Sequence, residues 1–215
     1  MPIKSDSWIA SMCRGNDPMI EPFVGESVSR NGAVKIPSYG LSSYGYDVRL
    51  GRNFKLFKNG TDENHRVTYY RGGTEFNQDV PQSSRVIDIR SFDNGDPLFV
   101  ELNDIDSLIL HPGGFVLGHT EEYIRVPRDV SVVAMGKSTI ARAGIIVTVT
   151  PLEAGWEGIT TLEITNTTRM PVRLYAGDGI CQMQFHQSDE QCMVSYADRG
   201  GKYQYQGKEP VTPKL

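Results

Sequence analysis

From Gly15 onward the chain loses helical periodicity and advances in short apolar runs bounded by Gly, Pro, Asn and Asp. Residues 46–50, 53–57, 107–110, 115–120 and 122–126 read as strands of this kind, rich in β-branched and aromatic side chains between turn-forming residues. Strands so short cannot bury a face alone, so they must pair and stack, which points to an all-β barrel or sandwich. Near the N-terminus the pattern differs: Trp8, Ile9 and Met12 recur at helical spacing behind the capping candidates Ser5 and Asp6, predicting one short helix over residues 5–12. Residues 138–143, closed by Gly144, predict another.

A chain of 215 residues suffices for one well-packed domain, and no linker divides it, so residues 1–215 are expected to form a single unit. Residues 60–97 are polar and weakly periodic, with Gly72-Gly73 and Asn94-Gly95 as turn signals, and read as an extended insertion. The end of the chain, residues 199–215, is rich in Gly, Lys and Tyr without a period; it is either disordered or ordered by a ligand.

A formal charge of -4 argues against a protein that coats nucleic acid, whereas a small anionic ligand needs only a favourable local field. No apolar run approaches the length that crosses a bilayer, and the first residues are interrupted by Lys4, Asp6 and Arg14, unlike a secretory signal. The expectation is a cytoplasmic protein without a membrane partner. Cys13, Cys181 and Cys192 lack C-x-x-C spacing and read as reduced thiols. His65, His111, His119 and His186 have no metal spacing and read as structural or exposed; the H-x-E and P-C-x-x-C pattern of zinc deaminases is absent, as is G-x-S-x-G.

Chemistry-bearing residues concentrate at 136–168, GKSTIARAGIIVTVTPLEAGWEGITTLEITNTT. Gly136-Lys137-Ser138-Thr139 ends like a phosphate-binding P-loop, but Ser131 stands where that motif requires its first Gly, so the P-loop reading fails. Ser138 would still lie near a helix N-terminus, either as a phosphate contact or as a simple cap. Arg142 falls one turn later on the same face and would hold a facing carboxylate ionised, unless it makes only a surface ion pair. In the alternating strand that follows, Glu163 shares a face with Thr161 and Thr165, opposite Leu162 and Ile164. A carboxylate there is either paired on a solvent-facing side or functional. Glu153 and Trp156 occupy a Pro-Leu-Glu-Ala-Gly-Trp turn that suits a packed aromatic or a sugar pocket.

Read together, these residues resemble the dCTP deaminase family of the trimeric dUTPase superfamily. The likeness runs through SYGLSSYGYDVR at 38–49, the 136–168 block, QMQF at 182–185 and SYADRGGKYQ at 195–204, and is thinnest over 60–97. It implies a distorted β-barrel or jelly roll of the dUTPase-like β-clip type, assembled as a homotrimer with active sites between neighbouring subunits. It implies hydrolysis of dCTP to dUTP and ammonia, supplying dUTP for thymidylate synthesis. By this likeness Glu163 is the general base, Ser138 and Arg142 position water, carboxylate and nucleotide, and no metal touches the base. Glu153 would bind the deoxyribose 3′-hydroxyl, with Trp156 packed under the sugar. Lys137, Tyr196, Lys202 and Gln206 would contact the triphosphate, the last three from a tail that closes over it, and Mg2+ would ride on the triphosphate oxygens. Lys137 stands where many members carry Arg, and Glu153 where many carry Asp after a longer turn. The same likeness leaves a dUTPase, or a bifunctional enzyme that releases dUMP and pyrophosphate, as the alternative. A nucleotide-binding sensor is the non-enzymatic one.

Overall fold

The computed structural model describes residues 2–58, 61–81, 87–90, 92 and 98–214. A short helix, α1 (Asp6–Met12), precedes a succession of strands and buries Ile9 against them. Its N-cap, Ser5, has extended dihedrals but makes no side-chain capping bond.

Three antiparallel sheets form a distorted β-barrel around one continuous hydrophobic cluster. The sheet that carries the site orders β12 (Ile145–Thr148), β13 (Glu157–Asn166), β10 (Phe115–Arg125), β5 (Phe54–Phe57) and β8 (Phe99–Leu102), with β1 (Ile20–Glu21) pairing the far end of β10. Facing it, β11 (Val130–Gly136), β15 (Gly179–Gln187), β4 (Gly45–Arg49), β3 (Val34–Ser42) and β2 (Ser27–Asn31) make the second sheet. The third joins β14 (Val172–Tyr175), β9 (Ser107–Leu110), β6 (Arg66–Arg71) and β7 (Thr74–Asp79). Helix α2 (Ser138–Arg142) links β11 to β12, and Gly144 ends it with φ 77°, a conformation that favours glycine. Among the described residues no helix is long and apolar enough to cross a membrane.

The structure corrects the sequence reading in three places. The runs expected at 115–120 and 122–126 are one strand, β10, interrupted by a bulge. Its register against β13 moves from His119 opposite Thr161 to Tyr123 opposite Ile159, leaving Thr120, Glu121 and Glu122 to face Thr160 alone. The polar side chains there are what the alternation could not place: Thr120 Oγ1 donates to the Glu122 carbonyl (2.7 Å) and accepts from the Thr160 amide (3.0 Å). Within 60–97, the described part contains the regular hairpin β6–β7, turned by Gly72 and Gly73 at φ 56° and 75°. Its partner β9 is distant in sequence, so the local pattern did not disclose it. Asn94-Gly95 lies outside the described residues. The tail, expected to be disordered or ligand-ordered, is instead held by its own barrel, as described below.

The bulge turns Glu122 inward, where it is fully buried. Its carboxylate accepts from both the backbone amide (2.9 Å) and the Nε (2.7 Å) of Arg49 on β4, tying the first two sheets together. The Arg49 guanidinium also lies 4.9 Å from the Tyr39 ring. Removing one partner strands the other charge in a low-dielectric interior. Glu122→Ala is therefore expected to lower the unfolding free energy by about 3–5 kcal/mol in urea titrations. A loss below about 1 kcal/mol would mean that the pair does not hold the sheets.

Candidate functional site

Glu163 sits in the middle of β13, opposite Leu117 of β10 and Thr148 of β12. The strand alternates as expected: Leu162 and Ile164 are wholly buried in the core, and Thr161, Glu163 and Thr165 take the other face. That face is not open solvent. Phe57, Phe115 and Leu117 from the neighbouring strands, with Val211 and Pro213 from the tail, help to wall a cavity of about 700 Å³ that includes Glu163. The Oε2 atom of Glu163 is buried without a hydrogen-bond partner among the described residues. Burial pushes its carboxyl up to about 7, because the charged form loses hydration with no cation to offset it. Such a group both takes and returns a proton near neutral pH.

The turn after β12 supplies the opposite wall. Leu152 bridges Val132 through two backbone hydrogen bonds of 2.9 and 3.0 Å, which fixes the turn to β11. Gly155 has φ 78°, and a Cβ there would meet Ser195 at 2.9 Å, so the turn and the tail approach more closely than a side chain allows. Trp156 is buried, and its indole N–H donates to the Tyr203 carbonyl (2.9 Å). Glu153 lines the cavity and forms an ion pair with Arg199.

The tail completes the enclosure. The Tyr196 amide donates to the Ala154 carbonyl (2.8 Å), and the Tyr196 hydroxyl accepts from the Tyr203 amide (2.9 Å). Tyr205 and Gln206 then run beside the start of β13: the Tyr205 amide donates to Glu157 (2.7 Å) and the Gln206 carbonyl accepts from Ile159 (2.8 Å). A non-periodic sequence is thus ordered by backbone pairing and side-chain caps rather than by a packed stripe.

Glu163, Glu153, Trp156, Tyr196 and Gln206 therefore meet in one cavity, while the other four candidate residues, Lys137, Ser138, Arg142 and Lys202, stand apart from its walls. Lys202 is exposed and donates to the Lys214 carbonyl (3.3 Å). Lys137 pairs with Asp47 at 2.5 Å, and Asp47 also accepts from Gln182 (3.2 Å). Ser138 is the first helical residue of α2 and not its cap; the N-cap is Lys137, which makes no side-chain capping bond. Ser138 and Arg142 are both exposed and have no hydrogen-bond or ion-pair partner among the described residues. His119 is structural: it is buried, with Nδ1 2.8 Å from the Thr120 carbonyl and Nε2 accepting from the Asn53 amide (3.2 Å).

A family model described as dCTP deaminase-like matches residues 3–188. The chain belongs to the dCTP deaminase-like family. Proteins named dCTP deaminase from Pseudomonas paraeruginosa and Pseudomonas putida are 48% and 47% identical to it over 212 residues, covering 99% of this chain and 98% of each relative. A crystal structure of 2′-deoxycytidine 5′-triphosphate deaminase from Agrobacterium tumefaciens shares the fold, with a TM-score of 0.55 at 18% identity. That alignment takes in 86% of this chain and 48% of the other, so this chain spans about half the length of that one.

For this member of the dCTP deaminase-like family, sequence reasoning passed over Tyr203, Leu117, Phe115 and Phe57, all cavity walls. The only sequence signal for Leu117 was alternation on β10, which the bulge obscures. Thr161 was assigned to the right face, but not its contacts with the tail.

The raised carboxyl of Glu163 has a stability consequence. Its folded value near 7 exceeds the unfolded one near 4.5, so the native state holds a proton that the unfolded chain has lost. Stability from this residue falls as pH rises between those values. Glu163→Gln, which carries no charge, is expected to melt at a higher temperature than the parent at pH 8, with the gap closing as pH falls toward 5. A calorimetric melting series across this range checks the sign, and a lower melting temperature for the variant at pH 8 would contradict it.

Proposed function

We propose that this chain hydrolyses dCTP to dUTP and ammonia with Glu163 as the general base. The observation that carries the reading is the buried, uncompensated carboxylate of Glu163 on the wall of a nucleotide-sized cavity. The near full-length likeness to proteins named dCTP deaminase supports the same substrate.

In this reading Glu163 removes a proton from water as its oxygen bonds to C4 of cytosine. Glu163 passes that proton to N3, then takes the remaining proton of the C4 hydroxyl and delivers it to the exocyclic nitrogen of the tetrahedral intermediate. The C4–N bond breaks, ammonia leaves and the C4 carbonyl of uracil forms. Glu153 accepts the deoxyribose 3′-hydroxyl on releasing Arg199, and Trp156 packs against the sugar. Tyr196, Lys202 and Gln206 contact the triphosphate from the tail. Mg2+ would ride on the triphosphate oxygens.

The separation of α2 from the cavity supports a homotrimer in which each site takes Lys137, Ser138 and Arg142 from a neighbouring subunit. Val133, Met135 and Ile146 leave large apolar side chains exposed on β11 and β12, the strands flanking α2, as a subunit contact would require. The continuous core supports residues 1–215 as one domain. The lack of a long apolar helix among the described residues accords with a cytoplasmic enzyme but does not bear on membrane barrels.

Chromatography of dCTP incubated with Mg2+ and the protein is expected to yield dUTP without pyrophosphate; dUMP and pyrophosphate would establish the bifunctional alternative. Glu163→Gln should reduce turnover by at least about a hundredfold while retaining nucleotide binding, and kcat/KM of the parent should fall below an apparent pKa near 7. Normal turnover in Glu163→Gln would reject it as base. For the shared site, Glu163→Gln and Arg142→Ala chains, each inactive alone, should regain about a quarter of parental activity when co-assembled in equal amounts. No recovery would place both residues in one subunit's site.

A further inference from the structure

One hydroxyl joins the strand of Glu163 to the tail at two points. Thr161, two positions before Glu163 and on the same face, donates from Oγ1 to the Gln206 side-chain oxygen Oε1 (2.9 Å). Thr161 Oγ1 in turn accepts from the backbone amide of Val211 (3.1 Å). Its single proton and one lone pair are thereby both used. Gln206 and Val211 are separated by an excursion of exposed residues, Gly207 to Glu209, so the Thr161 hydroxyl closes that loop and brings Val211 to the cavity.

The contact also sets which end of the Gln206 amide is available. A carboxamide has an acceptor oxygen and a donor NH2 group, and rotation by half a turn exchanges them. With Oε1 held by the Thr161 hydroxyl, the NH2 end is left for another partner, and Nε2 has none among the described residues. Reversal would present an oxygen to a phosphate and add repulsion where a donor is needed.

We infer that Thr161 is a positioning residue: its hydroxyl pins the tail at Val211 and orients Gln206 so that the amide donates to the nucleotide phosphates. This rests on the dCTP deaminase reading for the identity of the ligand, while the pin itself is a property of the free protein. Valine suits a strand as well as threonine and matches its shape, so Thr161→Val removes the hydroxyl with little disturbance of β13.

Amide hydrogen exchange on the nucleotide-free protein tests the pin, and steady-state kinetics with dCTP test the orientation. Thr161→Val should speed exchange at Val211 by at least about tenfold and raise KM roughly five- to tenfold, with kcat changed less than about twofold. Thr161→Ser should restore both. Unchanged exchange at Val211 overturns the pin, and an unchanged KM overturns the orienting role. Equal losses in the Ser and Val variants also overturn the proposal, because the effect would then belong to the position and not the hydroxyl. If the parent protein does not turn over dCTP, the deaminase reading fails, and the orienting role with it. The exchange measurement still decides the pin.

Discussion

The bulge in β10 is the constraint on which the rest of the structure depends. Three residues, Thr120 to Glu122, stand against Thr160 alone, and this mismatch does two things at once. It drives the Glu122 carboxylate into the interior, where Arg49 of the facing sheet receives it. It also resets the pairing of β10 with β13, so that from Thr161 onward the register places Glu163 opposite Leu117. A bulge re-aims the side chains beside it, and here a buried ion pair holds the bulge in place.

The Glu163 carboxyl gains its character from what surrounds it rather than from a charged partner. Leu117 lies across the ladder, Phe57 and Phe115 stand nearby, and Val211 and Pro213 of the tail lie over the same cavity. This apolar enclosure withholds water from Glu163 and raises its carboxyl toward neutrality. The tail is therefore part of the electrostatics of the cavity. Its own order comes from hydrogen bonds to the turn at Gly155, to the start of β13 and to Thr161.

Lys137, Ser138 and Arg142, at the N-cap of α2 and within it, are arranged differently. Arg142 and Ser138 point to solvent, while Lys137 is drawn to Asp47, whose carboxylate also accepts from the Gln182 amide. One chain thus presents a cavity with a carboxylate that no cation faces, and a helix with an arginine that no carboxylate faces. The division follows from the barrel, in which β11 and β13 belong to different sheets and α2 bridges their edges. The proposed trimer unites the two halves.

Much of this was legible in the sequence. Short punctuated strands determined an all-β fold, since such runs are stable only when paired, and alternation over Thr161 to Thr165 put Glu163 on the face away from Leu162 and Ile164. The order of motifs carried the family. Other features had no local signature. The β6–β7 hairpin depends on a distant partner, the tail on backbone pairing to β13, and the break in β10 looked like a gap between two strands. A pattern of residue types records which face a side chain takes, because that is set by the two-residue period of a strand. It does not record which strand lies opposite, how far a bulge shifts the register, or whether a carboxylate is enclosed. Those depend on contacts between residues far apart in the chain, and tertiary structure alone decided them: that Glu122 meets Arg49, that Thr161 holds the tail, and that Glu163 lies buried without a cation.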